Sequence, residues 1–163
     1  MRTREVMFAD AEAIAIIYNQ GIADRIGTFE TEPRTKEHIV SWFDGRHPIV
    51  VVEDGGEVVA FASTSSYRNR PCYVGVAEFS VYVARNRRGT GAGCLAMTAL
   101  LDAAEVAGYW KLISRIFPEN TASRALMAKV GFREVGIYRR HGKLDGAWRD
   151  CVIVERLLGE AAE

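Results

Sequence analysis

The sequence predicts an α/β (α+β) fold in which a mixed central sheet of about seven strands is flanked by helices. Three observations predict it: a hairpin pattern over residues 48–61, a strand that turns through glycines into a helix over residues 73–104, and strands that occur both side by side and separated by helices. This order fits neither a purely parallel α/β array nor an all-β sandwich. At 163 residues with 48% hydrophobic side chains, we expect one domain, residues 1–163, with a sizeable core.

The first third of the chain predicts a strand and two helices. The strand is expected from Arg2 to Phe8, and a loop from Gly21 to Pro33. Asp10 is the predicted N-cap of the first helix and Thr35 that of the second, because a short polar side chain can accept a hydrogen bond from a free helix N–H. The apolar residues at helical spacing are Ile14, Ile17 and Tyr18 in the first helix, and Ile39, Trp42 and Phe43 in the second.

A β-hairpin follows. Two β-branched runs, Pro48–Val52 and Glu57–Phe61, flank Asp54-Gly55-Gly56, which is a strong signal for a tight turn. The second strand of the hairpin is expected to continue towards Ser66.

The second half alternates strands with helices. One helix begins near Gly91 and ends at Gly108, and a second is capped by Asn120 and stops before Gly131. A loop rich in Gly, Lys and Asp is expected between the last two strands. The predicted strands are Tyr73–Val83, Lys111–Phe117, Phe132–Ile137 and Trp148–Leu157.

Charge and composition exclude several classes of partner. Lys and Arg together number 21, as do Asp and Glu, so no overall basic field attracts nucleic acid or an anionic membrane. The chain shows no apolar run of membrane-spanning length and no apolar signal segment near Met1, so we expect a cytoplasmic protein.

Cysteine and histidine usage predicts neither a disulfide set nor a metal site. The three cysteines are far apart and odd in number, which favours reduced thiols in a reducing compartment. The three histidines have no metal-ligand spacing. These residues are Cys72, Cys94, Cys151, His38, His47 and His141.

The glycine-rich segment after Val83 is the most informative part of the chain. Arg87 and Arg88 precede alternating glycines at positions 89, 91 and 93, and a helix follows. Such a turn exposes backbone N–H groups at a helix N-terminus, where the helix dipole favours phosphate. The P-loop and dinucleotide templates do not match, and a glycine-rich turn can also be only a tight connection.

The segment Arg88-Gly-Thr-Gly-Ala-Gly93 resembles the Q/R-x-x-G-x-G/A acetyl-CoA pyrophosphate signature of the GNAT N-acetyltransferases. Asn120-Thr-Ala-Ser123 followed by Val130-Gly-Phe132 is similar to a second segment of that superfamily, and the predicted order of elements is the GNAT order. The resemblance implies the GNAT acyl-CoA N-acyltransferase fold.

Three further segments resemble the acetyltransferases that act on phosphinothricin, arsinothricin, methionine sulfone and methionine sulfoximine. They are Phe29-Glu-Thr-Glu-Pro33 with Thr35, Glu78 ahead of Ser80-Val-Tyr-Val83, and Gly146-Ala-Trp-Arg-Asp150. The resemblance implies transfer of an acetyl group from acetyl-CoA to the α-amino group of a small amino acid analogue, with resistance to a toxic compound as the biological effect. It also implies a homodimer.

The resemblance assigns a co-substrate site. The pantetheine arm of acetyl-CoA would hydrogen-bond to the backbone of the strand Val81-Tyr82-Val83, as an added strand does. Asn120 would contact the same arm, although helix capping alone also explains an Asn at that position. The residues expected around the pyrophosphate are Arg88, Gly89, Thr90, Gly91, Ala92 and Gly93.

Glu78 is the expected catalytic residue. An amino acid amine is mostly ammonium at neutral pH and must lose a proton before it attacks a thioester, so a carboxylate within reach can act as general base. Related enzymes have a Glu in this role at this place on the strand. Without the resemblance, a solvated or ion-paired strand glutamate would be the ordinary interpretation.

The expected substrate residues are Arg68, Arg70, Tyr73, Phe29 and Glu30. In extended chain Arg68 and Arg70 face the same side, and guanidinium groups bind carboxylate, phosphinate or arsinate in bidentate fashion. An exposed basic loop is the alternative. Phe29 and Glu30 border the substrate in the family, but could be ordinary core and ordinary surface residues.

One position departs from the family pattern. Many GNAT enzymes have a Tyr or His seven residues after the Asn, where it protonates the leaving thiolate, and this chain has Met127 there. Tyr73, Tyr138 or His141 could substitute, as could water. Two alternatives therefore stay open: a GNAT enzyme for another amine (peptide N-terminus, polyamine or aminoglycoside), and an acyl-CoA-binding regulatory domain without turnover.

Overall fold

A computed structural model of the chain, which describes residues 1–163, contains one seven-stranded sheet with four helices. The strands are β1 (Arg2–Glu5), β2 (Ile49–Asp54), β3 (Glu57–Ser66), β4 (Val76–Val83), β5 (Lys111–Ile116), β6 (Arg133–Leu144) and β7 (Ala147–Leu157). The helices are α1 (Ala11–Asp24), α2 (Lys36–Val40), α3 (Ala92–Val106) and α4 (Thr121–Lys129). None of these helices is long and apolar enough to span a bilayer.

The sheet is mixed, as predicted. Its strand order is β1-β2-β3-β4-β5-β7-β6, and every neighbouring pair is antiparallel except β4 and β5. Parallel neighbours need a long crossover, which α3 supplies here. The α3 crossover therefore begins at the end of β4, directly after the glycine-rich segment.

Each face of the sheet has its own core. The face under α3 and α4 holds the largest apolar cluster, with Met97 and Leu100 fully buried against the strands. The other face packs against α1 and α2 around Ile14 and Phe61. Because side chains alternate along a strand, Ala77 and Phe79 of β4 enter the first core while Glu78, between them, points to the opposite face of the sheet.

The first strand is shorter than predicted, because Phe8–Asp10 form a 3₁₀ turn after β1 ends at Glu5. The Asp10 carboxylate accepts hydrogen bonds from the Met7 N–H and from the Arg4 guanidinium. It makes no bond to the first turn of α1. Asp10 occupies the N-cap position of α1, but its carboxylate stabilises the 3₁₀ turn that precedes the helix.

Two further boundaries differ from the sequence predictions. Strand β4 begins at Val76 and not at Tyr73, since Pro71–Tyr73 form a 3₁₀ turn. The loop expected between the last two strands is mostly strand: β6 and β7 are joined by Asp145 and Gly146, both at positive φ. Strand β6 is exposed along nearly its whole length, so its sequence lacks the alternation by which half-buried strands are recognised.

Helix α2 ends at Val40, so the expectation that it also contains Trp42 and Phe43 is wrong, and both lie beyond its C-terminus. Several other local predictions are confirmed. The Thr35 and Asn120 side chains accept hydrogen bonds from the N–H groups of His38 and Ser123, three residues later. The hairpin continues to Ser66, and Gly108 follows the end of α3 with a φ of 95°.

Candidate active site

A gap opens where β4 and β5 separate. The two strands pair only from Val76 opposite Lys111 to Glu78 opposite Ile113, although β4 continues to Val83. The Ser114 hydroxyl donates to the Phe79 carbonyl at 2.8 Å, so that carbonyl faces the gap. Since backbone groups alternate in direction along a strand, the polar groups of Val81 and Val83 face the gap as well. The strand backbone expected to bind the pantetheine arm thus borders open space.

The glycine-rich segment presents a row of free backbone donors. The seven consecutive N–H groups from Arg88 to Cys94 make no hydrogen bond within the protein. Gly89 and Gly91 have φ values of 78° and 91°, a conformation that side chains with a Cβ rarely adopt. The donors lie at the N-terminus of α3, where the helix dipole adds positive potential. The arrangement suits a diphosphate.

The third glycine and the arginine of this motif have structural partners. A Cβ on Gly93 would lie 3.1 Å from Leu126 Cδ2, so Gly93 lets α4 pack close to the start of α3. Asp24 of α1 binds the guanidinium groups of Arg85 and Arg88 at 2.7 and 2.8 Å, and these lower the Asp24 pKa to about 2. The free donors of the segment are therefore its backbone amides.

A cavity of about 290 Å³ lies in the gap, between the α1–α2 loop, the two strands and α4. It brings together six residues predicted from sequence: Phe29, Glu30, Glu78, Val81, Tyr82 and Asn120. Met127 also lines it. Three of the segments that resemble the acetyltransferases therefore meet at this cavity: Phe29–Pro33, Glu78–Val83 and Asn120–Ser123.

Glu78 stands at the last position of β4 that pairs with β5, on the face away from α3. Its side chain is about one-third exposed, and its one ion-pair contact is with Arg115 of β5, at 3.4 Å. The carboxylate is thus open to the cavity, as a general base must be.

Three of the lining residues are also held by the protein. Asn120 caps α4 and its amide nitrogen donates to the Ile26 carbonyl at 3.1 Å, which ties α4 to the α1–α2 loop. The Phe29 ring packs edge-on against Phe117. Glu30 pairs with Arg34 at 2.7 Å. Each residue has a structural task beside any contact with a ligand.

The structure does not bring Arg68, Arg70 and Tyr73 to this cavity. Strand β3 ends at Ser66 and the following segment bends, so the two arginines do not lie on a strand. They line a separate surface depression of about 270 Å³ with Tyr109. Their role in binding an anion stays a prediction.

No predicted proton donor lines the cavity. Met127 is almost fully buried, and its thioether has no proton to give. Tyr138 and His141 lie on the exposed strand β6, and Tyr73 lines the separate depression. The Tyr82 ring packs against Tyr18 and Phe61 on the α1 face, where burial raises the pKa of its hydroxyl.

The lining residues that the sequence did not assign to the site include Tyr18, Arg115 and Cys151. Burial raises the pKa of the Cys151 thiol, so it stays protonated at neutral pH. Arg115 lies within the predicted strand Lys111–Phe117, and the only signal for it was a charged residue in the interior of that strand. No group of three or more His, Cys, Asp or Glu side chains is arranged to hold a metal.

Comparison with known proteins agrees with this geometry. The model of the Acetyltransferase (GNAT) family matches residues 16–132. A Streptomyces coelicolor phosphinothricin N-acetyltransferase is 34% identical, covering 91% of each chain. An L-methionine sulfoximine/L-methionine sulfone acetyltransferase of Pseudomonas paraeruginosa is 31% identical, over 93% of this chain and 91% of that protein.

A solved structure gives the same result in three dimensions. The GNAT superfamily phosphinothricin acetyltransferase of Sinorhizobium meliloti, in complex with acetyl-CoA, superposes with a TM-score of 0.90 at 29% identity. The superposition covers 97% of this chain and 88% of that one. These findings confirm the predicted fold and enzyme class: the chain belongs to the GNAT acetyltransferase family.

Proposed function

We propose that this protein transfers the acetyl group of acetyl-CoA to the α-amino group of a small amino acid analogue, of the phosphinothricin, arsinothricin or methionine sulfone and sulfoximine type. One observation carries the proposal: the Glu78 carboxylate opens into a cavity that lies in the gap between β4 and β5. Relatives named for phosphinothricin and for methionine sulfoximine supply the substrate class.

Acetyl-CoA is the co-substrate. The free amides of residues 88–94 receive its diphosphate, and the backbone of Val81 and Val83 pairs with its pantetheine arm. Tyr82 lies between Val81 and Val83, with its ring packed against Tyr18 of α1. Asn120 lies across the gap from this strand. This path places the thioester near Glu78.

Glu78 acts as the general base. It takes a proton from the substrate ammonium, and the freed amine attacks the thioester carbonyl carbon. The carbon–sulfur bond then breaks and the thiolate leaves, while the nitrogen keeps the acetyl group and loses its second proton to water. Since Met127 has no proton to give, water protonates the thiolate, whose modest basicity makes it a good leaving group.

The reaction proceeds by direct attack in a ternary complex, without an acyl-enzyme. Cys151 is the one thiol in the cavity, and its raised pKa keeps it from being a thiolate nucleophile. The three cysteines are unpaired, which fits a reducing cytoplasm. Resistance to a toxic amino acid analogue is the biological effect that we propose.

We also propose a homodimer. The hairpin of β6 and β7 exposes Val135, Ile137, Tyr138 and Trp148, each about half accessible. Apolar groups of this size grouped on one hairpin are typical of an interface. A mass measured by light scattering in solution tests this, and a monomeric mass at micromolar concentration would contradict it.

Release of free CoA thiol, followed with phosphinothricin and with L-methionine sulfone, tests the activity. The Glu78→Gln variant keeps the size of the side chain but removes the base, and we expect its kcat to fall by about 10²-fold or more. Glu12→Gln, an exposed change on α1, is the control and should turn over normally. Normal turnover by Glu78→Gln across pH would remove Glu78 from the mechanism.

A second candidate function follows from Met127. A family member with Met127 in place of the usual Tyr or His could bind acyl-CoA as a regulatory domain without turnover. Tight binding of acetyl-CoA with no thiol release on any amine would favour it. Turnover only with a polyamine, an aminoglycoside or a peptide N-terminus would instead assign another substrate class to the same enzyme.

A further inference from the structure

Three charged side chains line the cavity. Glu30 and Glu78 are carboxylates, and Arg115 is the only Arg or Lys among the lining residues. The guanidinium groups expected from Arg68 and Arg70 are therefore absent from the cavity, and strand β5 supplies one in their place. The position of Arg115 decides what this cation can bind.

Arg115 lies on β5 two residues beyond the last pairing with β4, where the strands have separated. Leu112 and Ile116 of β5 enter the α3 core, while Ile113 packs on the opposite side. Because side chains alternate, Arg115 points to the same side as Ile113, which is the side that carries Glu78. The two charges face the same space from both edges of the gap.

The bonding of Arg115 is incomplete. Its one ion pair is a single contact of 3.4 Å with Glu78, and about half of the side chain is exposed. Its neighbour across the β5–β7 pairing is Ile153, which offers no charge. A nearby arginine, Arg149, is instead occupied by Glu119 and by the Phe117 ring. Arg115 thus has donors left for a ligand, and a guanidinium suits a carboxylate in bidentate geometry.

An α-amino acid carries charges that match this pair. Its nitrogen and its carboxyl carbon are about 2.5 Å apart, by standard bond lengths and angles. With the ammonium on Glu78, the α-carboxylate lies within reach of a guanidinium that is 3.4 Å from the same glutamate. We propose that Arg115 binds the substrate α-carboxylate, so that the zwitterion replaces the Glu78–Arg115 contact. The proposal rests on the proposed function and adds to it the group by which α-amino acids are selected over other amines.

Two substrates that differ only in the carboxylate test this proposal. L-methionine sulfone and 3-(methylsulfonyl)propan-1-amine are the same molecule with and without that group. We expect the wild-type kcat/KM to favour the amino acid by about 10- to 100-fold, the range expected of a charge-assisted hydrogen bond. In Arg115→Met most of this preference disappears, because activity falls on the amino acid and not on the amine.

Two further variants control the measurement. Arg133→Met removes an exposed arginine that pairs with Glu155 on the surface, and it should keep the wild-type preference. Arg115→Lys keeps the charge without the bidentate geometry, so its preference should be intermediate. An Arg115→Met enzyme that loses activity equally on both substrates, or that keeps the preference, would overturn the proposal.

Calorimetric titration of L-methionine sulfone into the CoA-loaded protein separates this proposal from the proposed function. Wild-type protein that turns over neither substrate, yet binds the sulfone more tightly than Arg115→Met does, would contradict the enzymatic function and support the carboxylate contact. Equal binding by the two proteins would contradict the contact, whatever the turnover.

Discussion

The backbone of Gly91 offers a direct test of the diphosphate site. Gly91 has a φ of 91° at the N-cap of α3, with no atom near the position of a Cβ. In Gly91→Ala the strain is therefore backbone strain and not a clash. Placing a residue with a Cβ in this conformation costs about 1–2 kcal/mol of folding free energy. For a chain of this size we expect the Tm to fall by about 2–8 °C.

The affinity for acetyl-CoA should fall as well. Relief of the strain requires rotation of the peptide groups next to Gly91, which turns free amides of the segment away from the diphosphate. A hydrogen bond to a charged group contributes about 1.5–3 kcal/mol, so each lost contact weakens binding by about 10- to 100-fold. Isothermal titration calorimetry with acetyl-CoA measures the change.

Gly108 supplies the matched control. It lies just beyond the other end of α3, with a φ of 95° and equally open surroundings. Gly108→Ala should therefore lower the Tm by a similar amount and leave the Kd for acetyl-CoA unchanged. If both variants bind like wild type, or if both lose the same affinity, then the amides of residues 88–94 do not hold the diphosphate.

Two further predictions concern titratable groups. The Arg4 guanidinium, and to a lesser degree the Met7 N–H, lower the pKa of Asp10 in the folded protein. The ionised Asp10 therefore stabilises the fold fully above its unfolded-state pKa, about 4, and this stabilisation is lost as the pH falls through the lower folded-state pKa. Asp10→Asn should lower the free energy of unfolding by about 1.5 kcal/mol or more at pH 7. In urea unfolding curves this difference from wild type should shrink below about pH 4, and a difference that stays constant with pH would contradict the role of the ionised carboxylate. Burial raises the pKa of Cys151, so a thiol reagent at pH 7.5 should label the exposed Cys72 first and leave Cys151 unreacted until the chain unfolds, as mass spectrometry of labelled peptides would show. Early labelling of Cys151 in the folded protein would refute this.

The amino-acid sequence by itself determined most of the local elements and the glycine-rich turn before α3. The hairpin at Asp54-Gly55-Gly56, the caps at Thr35 and Asn120, and the glycine segment at residues 89–93 depend on interactions within a few residues. A turn residue or a cap acts on backbone groups beside it, so the pattern along the chain is sufficient. Asp10 shows the limit of this reasoning, since its carboxylate had a nearer backbone donor and an arginine to bind.

The tertiary structure alone decided which charges share the cavity. Glu78 and Arg115 are 37 residues apart and meet because β4 and β5 are parallel neighbours that separate after Glu78. Arg68 and Arg70 lie outside because the chain bends after Ser66. Such placements depend on strand pairing and on where it stops, which are long-range contacts. The periodicity of a single strand carries no information about them.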